Sequence, residues 1–179
     1  MSEFNRLVEE QIPRLRRYAR ALTGNPEPAD DLVQDTLVRA LAKQQLWQPG
    51  TNLRAWLFTL MHNQHVNTVR RSAREGFAVE LEKMLDTLIA TSDPTASRQL
   101  HELDRALNQL PEEQRWAILL IGLEGLSYDE AAAVLDVPIG TVRSRLSRGR
   151  DNLRRLMDMS ARATPSLDID IGESLAQAA

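Results

Sequence analysis

An all-α fold of two small helical domains joined by a linker, the second a helix-turn-helix domain, is predicted by three observations. Apolar residues recur at three- and four-residue spacing along most of the chain, and strand-like alternation is nearly absent. Glycine and proline gather at a few breaks, TGNPEP (23–28), WQPGTN (47–52) and TSDPTA (91–96). Aromatic residues make up only 4% of the 179, so the core must be built from Leu, Ile, Val and Ala, which suits two small helical units better than one large core.

The elements follow from these breaks. Residues 3–22 read as a first helix, with Pro13 a kink or restart. Residues 29–44, ADDLVQDTLVRALAKQ, form a second, and residues 53–74, LRAWLFTLMHNQHVNTVRRSAR, a long third. The character changes after Gly76, where a weakly apolar piece leads into TSDPTA. The domains are therefore placed at 1–75 and 97–159, with a linker at 76–96 and an acidic, mobile tail at 160–179. Within the second domain, SRQLHELDRALNQL, PEEQRWAILLIGLEG, LSYDEAAAVLD and an arginine-rich segment each carry helical periodicity.

Composition excludes several classes of function. There is no cysteine, hence no disulfide, thiol catalysis or Cys-ligated zinc. The longest apolar run, WAILLIGL (116–123), is far short of the roughly 20 residues of a membrane span, and the acidic N-terminus lacks the apolar core of a signal peptide. With a formal charge of −3, the chain is expected to be soluble and cytoplasmic, with no membrane insertion. His62 and His65 stand at i, i+3, but no Cys or nearby carboxylate completes a metal site. No phosphate loop or nucleophile–base signature appears, so neither an enzyme nor a cofactor is expected.

The segment PIGTVRSRLSRGRDNLRR (138–155) holds six arginines and one acid. On a helical wheel Val142, Leu146, Gly149, Leu153 and Leu156 fall on one line, flanked by Arg143, Arg150 and Arg154 on one side and Arg145, Arg148 and Arg155 on the other. Solvated helix faces usually mix signs, whereas this charge is almost purely guanidinium, the group best shaped for phosphate. Before it, Ser127 and Glu130 form a capping box, Ala131–Ala133 allow close helix approach, and Asp136-Val137-Pro138 make a tight turn. Short helix, turn and basic helix is the helix-turn-helix order, in which the second helix enters the major groove. Thr141, Arg143, Ser144 and Arg145 or Arg148 would reach base edges, and later arginines such as Arg150 would clamp phosphates.

These residues, from LPEEQRWAILLIGLEGLSYDE to VRSRLSRGRDNLRRL, resemble the C-terminal domain of bacterial sigma factors of the compact extracytoplasmic-function type. Asp136 stands where that family usually has glycine, and Asp tolerates a left-handed backbone. Pro138 stands where a capping Ser is common. The resemblance implies a domain that reads the −35 promoter element.

The N-terminal half extends the resemblance. Leu57, Phe58, Leu60 and Met61 form an apolar arc on the third helix, while Asn63, Asn67, Arg70 and Arg74 form a stripe with Arg71 beside it. Amides can bond bases that have left the stack. NLRAWLFTLMHNQHVNTVRR resembles the sigma segment that melts the −10 element, which implies that Asn63 and Asn67 face the non-template strand, that the loop QPGTN helps form a flipped-base pocket, and that Arg70, Arg71 and Arg74 hold phosphates. On the second helix Leu32, Val33, Thr36, Leu37, Ala40 and Leu41 point to the core. Asp31, Gln34, Asp35, Val38 and Arg39 share the other side; an i,i+4 Asp35–Arg39 pair on a solvated face would suit them, and the family resemblance implies instead a surface for core RNA polymerase. Trp47, Trp56 and Trp116 read as core-edge residues, with base stacking by Trp47 or Trp56 as the alternative.

The function implied is that of a sigma factor that binds core RNA polymerase and promoter DNA and is held inactive by an anti-sigma partner. A stand-alone dimeric helix-turn-helix regulator is the rival, and a sequestering protein that keeps the fold without initiating transcription is a third class.

Overall fold

A computed structural model describes residues 3–74 and 94–163, and all the regular elements among them are helical. The N-terminal half comprises α1 (Glu3–Thr23), α2 (Pro26–Ala42) and α3 (Leu53–Arg74). The C-terminal half comprises α4 (Pro94–Asn108), α5 (Glu112–Ile118), α6 (Tyr128–Leu135) and α7 (Ile139–Ala163). Most of the segment read as a linker and most of the tail lie outside the described residues.

Local chemistry sets the helix ends. Gly24 (φ 67°) closes α1 in a left-handed conformation, and the Asn25 side chain accepts from the Glu27 amide at 3.2 Å to start α2, with Pro26 in the first turn. α1 runs unbroken through Pro13 rather than restarting there. Pro13 and Glu9 are both exposed, so water can serve the carbonyl that proline leaves without a donor. α4 begins at Pro94, inside the segment read as linker, because proline is favoured in a first helical turn. α5 loosens at its end into a π turn, Leu119–Leu123, where the Glu124 amide bonds the Leu119 carbonyl at 3.0 Å.

The apolar stripes meet in a continuous core. Tyr18 and Phe58 are fully buried with ring centroids 5.0 Å apart, and Leu15, Leu57 and Met61 surround them. The same core continues through Leu120, Ala131, Val134 and Val142 of the C-terminal half. The two halves therefore pack on each other, α3 against α6 and α1 against the π turn. On α2, Leu32, Val33, Thr36 and Ala40 are buried and Leu37 partly so, but Leu41 is 46% exposed. It lies in the last turn beside Val38, off the centre of the stripe, where none of the described helices covers it.

Among the described residues, no helix is long and apolar enough to cross a membrane, and no cluster of His, Asp and Glu could hold a metal ion.

Candidate nucleic-acid interface

The helix-turn-helix forms as its sequence dictates. Ser127 Oγ accepts from the Glu130 amide at 3.2 Å, and a Glu130 carboxylate oxygen accepts from the Ser127 amide at 2.7 Å, a complete capping box. The Ser127 amide bond holds the Glu130 carboxyl below its ordinary range. Asp136 takes the left-handed conformation (φ 51°, ψ 49°), and the Val137 amide returns to the Ala132 carbonyl at 3.1 Å. The Pro138 carbonyl then accepts from Thr141 and Val142 at 2.9 and 3.2 Å, which opens α7 without a capping hydroxyl.

α7 docks by the narrow line read from the wheel. Val142, Leu146 and Gly149 are buried, and Leu153 and Leu156 are half-buried. A Cβ on Gly149 would lie 2.9 Å from Ile118 Cδ1 and 3.3 Å from the Gln114 carbonyl oxygen, so α5 rides directly on the α7 backbone.

The candidate readers separate into different surroundings. Arg143 is exposed, its guanidinium 5.6 Å from the centroid of the Tyr128 ring. With Arg150, Arg154 and Ser147 it lines an open cleft of about 210 Å³. Arg148 and Arg150 are exposed and unpaired among the described residues. Thr141 and Ser144 are half-buried, and the Ser144 hydroxyl donates to the Thr141 carbonyl at 2.9 Å. Arg145 turns inward, with its side chain 19% exposed and ion-paired to Glu113 at 2.9 Å.

On α3 the expected division of faces is present. Leu57, Phe58 and Met61 are fully buried and Leu60 is half-buried. Asn63, Asn67, Arg70 and Arg71 are exposed along one stripe, and the Arg74 side chain lies outside the described residues. The preceding loop is held at both ends of Asn52. Its Oδ1 accepts from the Ala55 amide at 3.0 Å, capping α3, and its amide nitrogen donates to Glu130 of α6. A second cleft, about 370 Å³, opens between this loop and α1, lined by Gln11, Arg14, Asn52 and Arg54 among others. Trp47 and Trp56 are half-buried against Phe4, at 5.5 and 6.2 Å between ring centroids, a core-edge position.

On α2, Asp31, Gln34, Asp35, Val38 and Arg39 are all exposed. Asp35 accepts from Gln64 of α3 at 2.9 Å instead of pairing with Arg39. Val38 (66% exposed), Leu41 and Leu46 (64%) add an apolar element to this surface.

Sequence reasoning did not single out Glu124, Arg17 or Tyr128. Glu124 is the lone acid after the apolar run WAILLIGL, and that isolation is the signal that could have marked it. Its side chain has no exposure and accepts two bonds from Arg17, at 2.9 and 3.1 Å. Its backbone carbonyl accepts from Arg54 at 3.2 Å, so both long helices of the N-terminal half grip one residue of the other half.

Comparisons with known proteins follow the same division. The family model for the Sigma2 domain of PhyR matches residues 8–62, and that for Sigma-70, region 4 matches residues 100–153. The chain is 42% identical over 146 residues to the ECF RNA polymerase sigma factor EcfG of Rhodopseudomonas palustris (strain TIE-1), covering 82% of this chain and 80% of that one. It is similar in structure to the sigma factor RpoE of Bartonella quintana solved in complex with the anti-sigma factor NepR, with a TM-score of 0.76 at 37% identity over 88% of this chain and 98% of that one. It is also similar to CnrH solved with the cytosolic domain of CnrY, with a TM-score of 0.63 at 30% identity over 87% and 88% of the two chains.

Proposed function

Since the chain belongs to the extracytoplasmic-function RNA polymerase sigma factors, we propose a division of labour among its residues in promoter-specific initiation. Asp31, Gln34, Asp35, Val38 and Arg39 of α2 bind core polymerase, where an apolar patch ringed by charge suits a protein partner. Asn63 and Asn67 take unstacked bases of the −10 element, and Arg70, Arg71 and Arg74 hold the backbone of the separated strand. In α7, Arg143, Thr141 and Ser144 read the −35 duplex, with Arg145 joining them once it leaves Glu113; Arg148 and Arg150 hold phosphates.

The observation that carries this reading is the exposed amide-and-arginine stripe on α3, a surface separate from the helix-turn-helix and chemically suited to nucleic acid. A stand-alone regulator would have no use for it. An acidic chain with only local basic surfaces also suits a factor whose affinity for DNA is completed by polymerase, because phosphate contacts dominate non-specific binding. The complexes of RpoE with NepR and CnrH with CnrY support an anti-sigma partner for this chain as well.

The test is run-off transcription with core polymerase from a matched host on a promoter library, using wild type, Asn63→Ala and Arg143→Ala. Promoter-specific transcripts are expected from wild type. Asn63→Ala should impair strand opening more than closed-complex formation, and Arg143→Ala should weaken −35 duplex binding. Loss of duplex affinity in Asn63→Ala with opening intact would overturn the assignment of α3, and no specific transcript from any template would overturn the whole.

A further inference from the structure

His62 and His65 lie one turn apart on α3 and are only 6% and 8% exposed. The Trp116 indole, from the other half of the molecule, stands edge-on to both imidazoles. Its centroid is 4.5 Å from that of His62 and 6.5 Å from that of His65, each at 86°. His62 Nδ1, His65 Nε2 and Trp116 Nε1 are buried without hydrogen-bond partners. A neutral imidazole can leave an acceptor nitrogen bare at modest cost, but protonation turns both nitrogens into charged donors that need partners.

The charges facing this contact have the wrong sign to accommodate a cation. Arg115 of α5 acts on His65, and Arg145 of α7 acts on His62. Exposed Glu112 of α5 acts on Arg115, and several other carboxylates on the surrounding elements are committed elsewhere. Glu113 of α5 pairs with Arg145, Asp35 of α2 accepts from Gln64, and Glu130 of α6 accepts from Asn52 and Ser127. Glu124 is taken by Arg17, Asp104 of α4 accepts from Asn108, and Tyr18 of α1, beside Arg115, is held protonated by its burial. Among the described residues neither histidine has an ion pair. Burial first, and then the neighbouring arginine, pushes each imidazole down to about 4, with His62 adding to the effect on His65.

We propose that this histidine pair makes the packing of the two halves acid-labile: the halves close on each other with both imidazoles neutral and separate as they take up protons. Separation frees the Asn52 loop from Glu130 and uncovers the face of α3 beside Asn63; only this consequence for promoter binding rests on the sigma-factor reading.

The sign follows from proton counting. Once the halves part, the imidazoles return to an ordinary pKa of about 6.5, so the closed state binds fewer protons. Closure is unaffected above about pH 7, weakens as the pH falls through about 6.5, and stops weakening below about 4. At about pH 5.5 each histidine disfavours closure roughly tenfold, and the pair roughly a hundredfold.

The chain lacks cysteine, so cysteines introduced at exposed Gln45 and Asp158 would carry a donor–acceptor dye pair on the full chain. Energy transfer is followed from about pH 7.5 to about pH 5, with far-UV circular dichroism on the same samples. The expected result is a loss of transfer below about pH 6.5 with helicity intact. The His62→Gln/His65→Gln and His62→Phe/His65→Phe variants should not respond, and either single substitution should reduce the roughly hundredfold effect to about tenfold. Constant transfer in the unsubstituted background, a loss that coincides with helix melting, or a loss that survives in a folded double variant would overturn the proposal. No polymerase or promoter is present, so this outcome is independent of the transcription assay.

Discussion

Arg17 reaches across 107 residues of chain to the fully buried carboxylate of Glu124, its Nη2 donating at 2.9 Å and its Nε at 3.1 Å. The other carboxylate oxygen has no hydrogen bond, and Arg14 stands 3.9 Å from it. Removing Arg17 leaves a buried charge poorly matched, whereas replacing the acid with an apolar group of similar size removes the problem. Arg17→Ala is therefore expected to destabilise the chain by about 1–2 kcal/mol, discounted because Arg17 is half exposed, and Glu124→Leu to be nearly neutral. Urea unfolding of both variants and of the double variant checks this; an Arg17→Ala chain as stable as the parent would refute it.

Arg143 and Arg150 should fail differently. Arg143→Ala is expected to relax sequence choice in the −35 duplex, losing about 1–3 kcal/mol of discrimination at one position. Arg150→Ala should weaken binding on every sequence alike and lower the slope of log affinity against log salt by about one. Titrations of duplex DNA at several salt concentrations, on matched and mismatched sites, separate the two.

Gly149 is favoured by proximity, because a side chain there would press on Ile118 Cδ1 at 2.9 Å and on the Gln114 Cβ and carbonyl oxygen at 3.2 and 3.3 Å. Gly149→Val should cost about 1–3 kcal/mol despite glycine's poor helix propensity. Thermal unfolding measures it, and an unchanged midpoint would mean that α5 does not ride on α7 as described.

Asp136 carries the one non-glycine positive φ among the described residues. Asp136→Gly should raise stability by about 0.5–1 kcal/mol by relieving the left-handed conformation, and Asp136→Ala should lower it. Paired melting temperatures decide the matter: the order Gly, Asp, Ala is the expected ranking.

Much of the fold was legible because its signals are local. The Ser127–Glu130 box, the left-handed Asp136 and the α7 apolar line each arise from residues within a few turns of one another, and each appears where the sequence placed it. The misreadings were also local rules, overridden by surroundings. Pro13 marks no restart of the helix because its face is wet, and Leu41 is exposed because none of the described helices extends over the last turn of α2. On the candidate interface, the exposed stripe of Asn63, Asn67, Arg70 and Arg71 followed from helical periodicity alone.

The sequence by itself determined the helices, the helix-turn-helix and the family, since capping, periodicity and turn chemistry act over a few residues. Only the tertiary structure decided what lies between the halves. Glu124 became a buried anchor, Arg145, a candidate base reader, came to rest against Glu113, and a histidine pair with metal-like spacing became a neutral surface for Trp116. Each of these outcomes depends on burial and on charges brought together from elements distant in the chain. No local pattern encodes such a meeting, because the cost of a buried charge or a bare ring nitrogen is set by whichever surface comes to cover it.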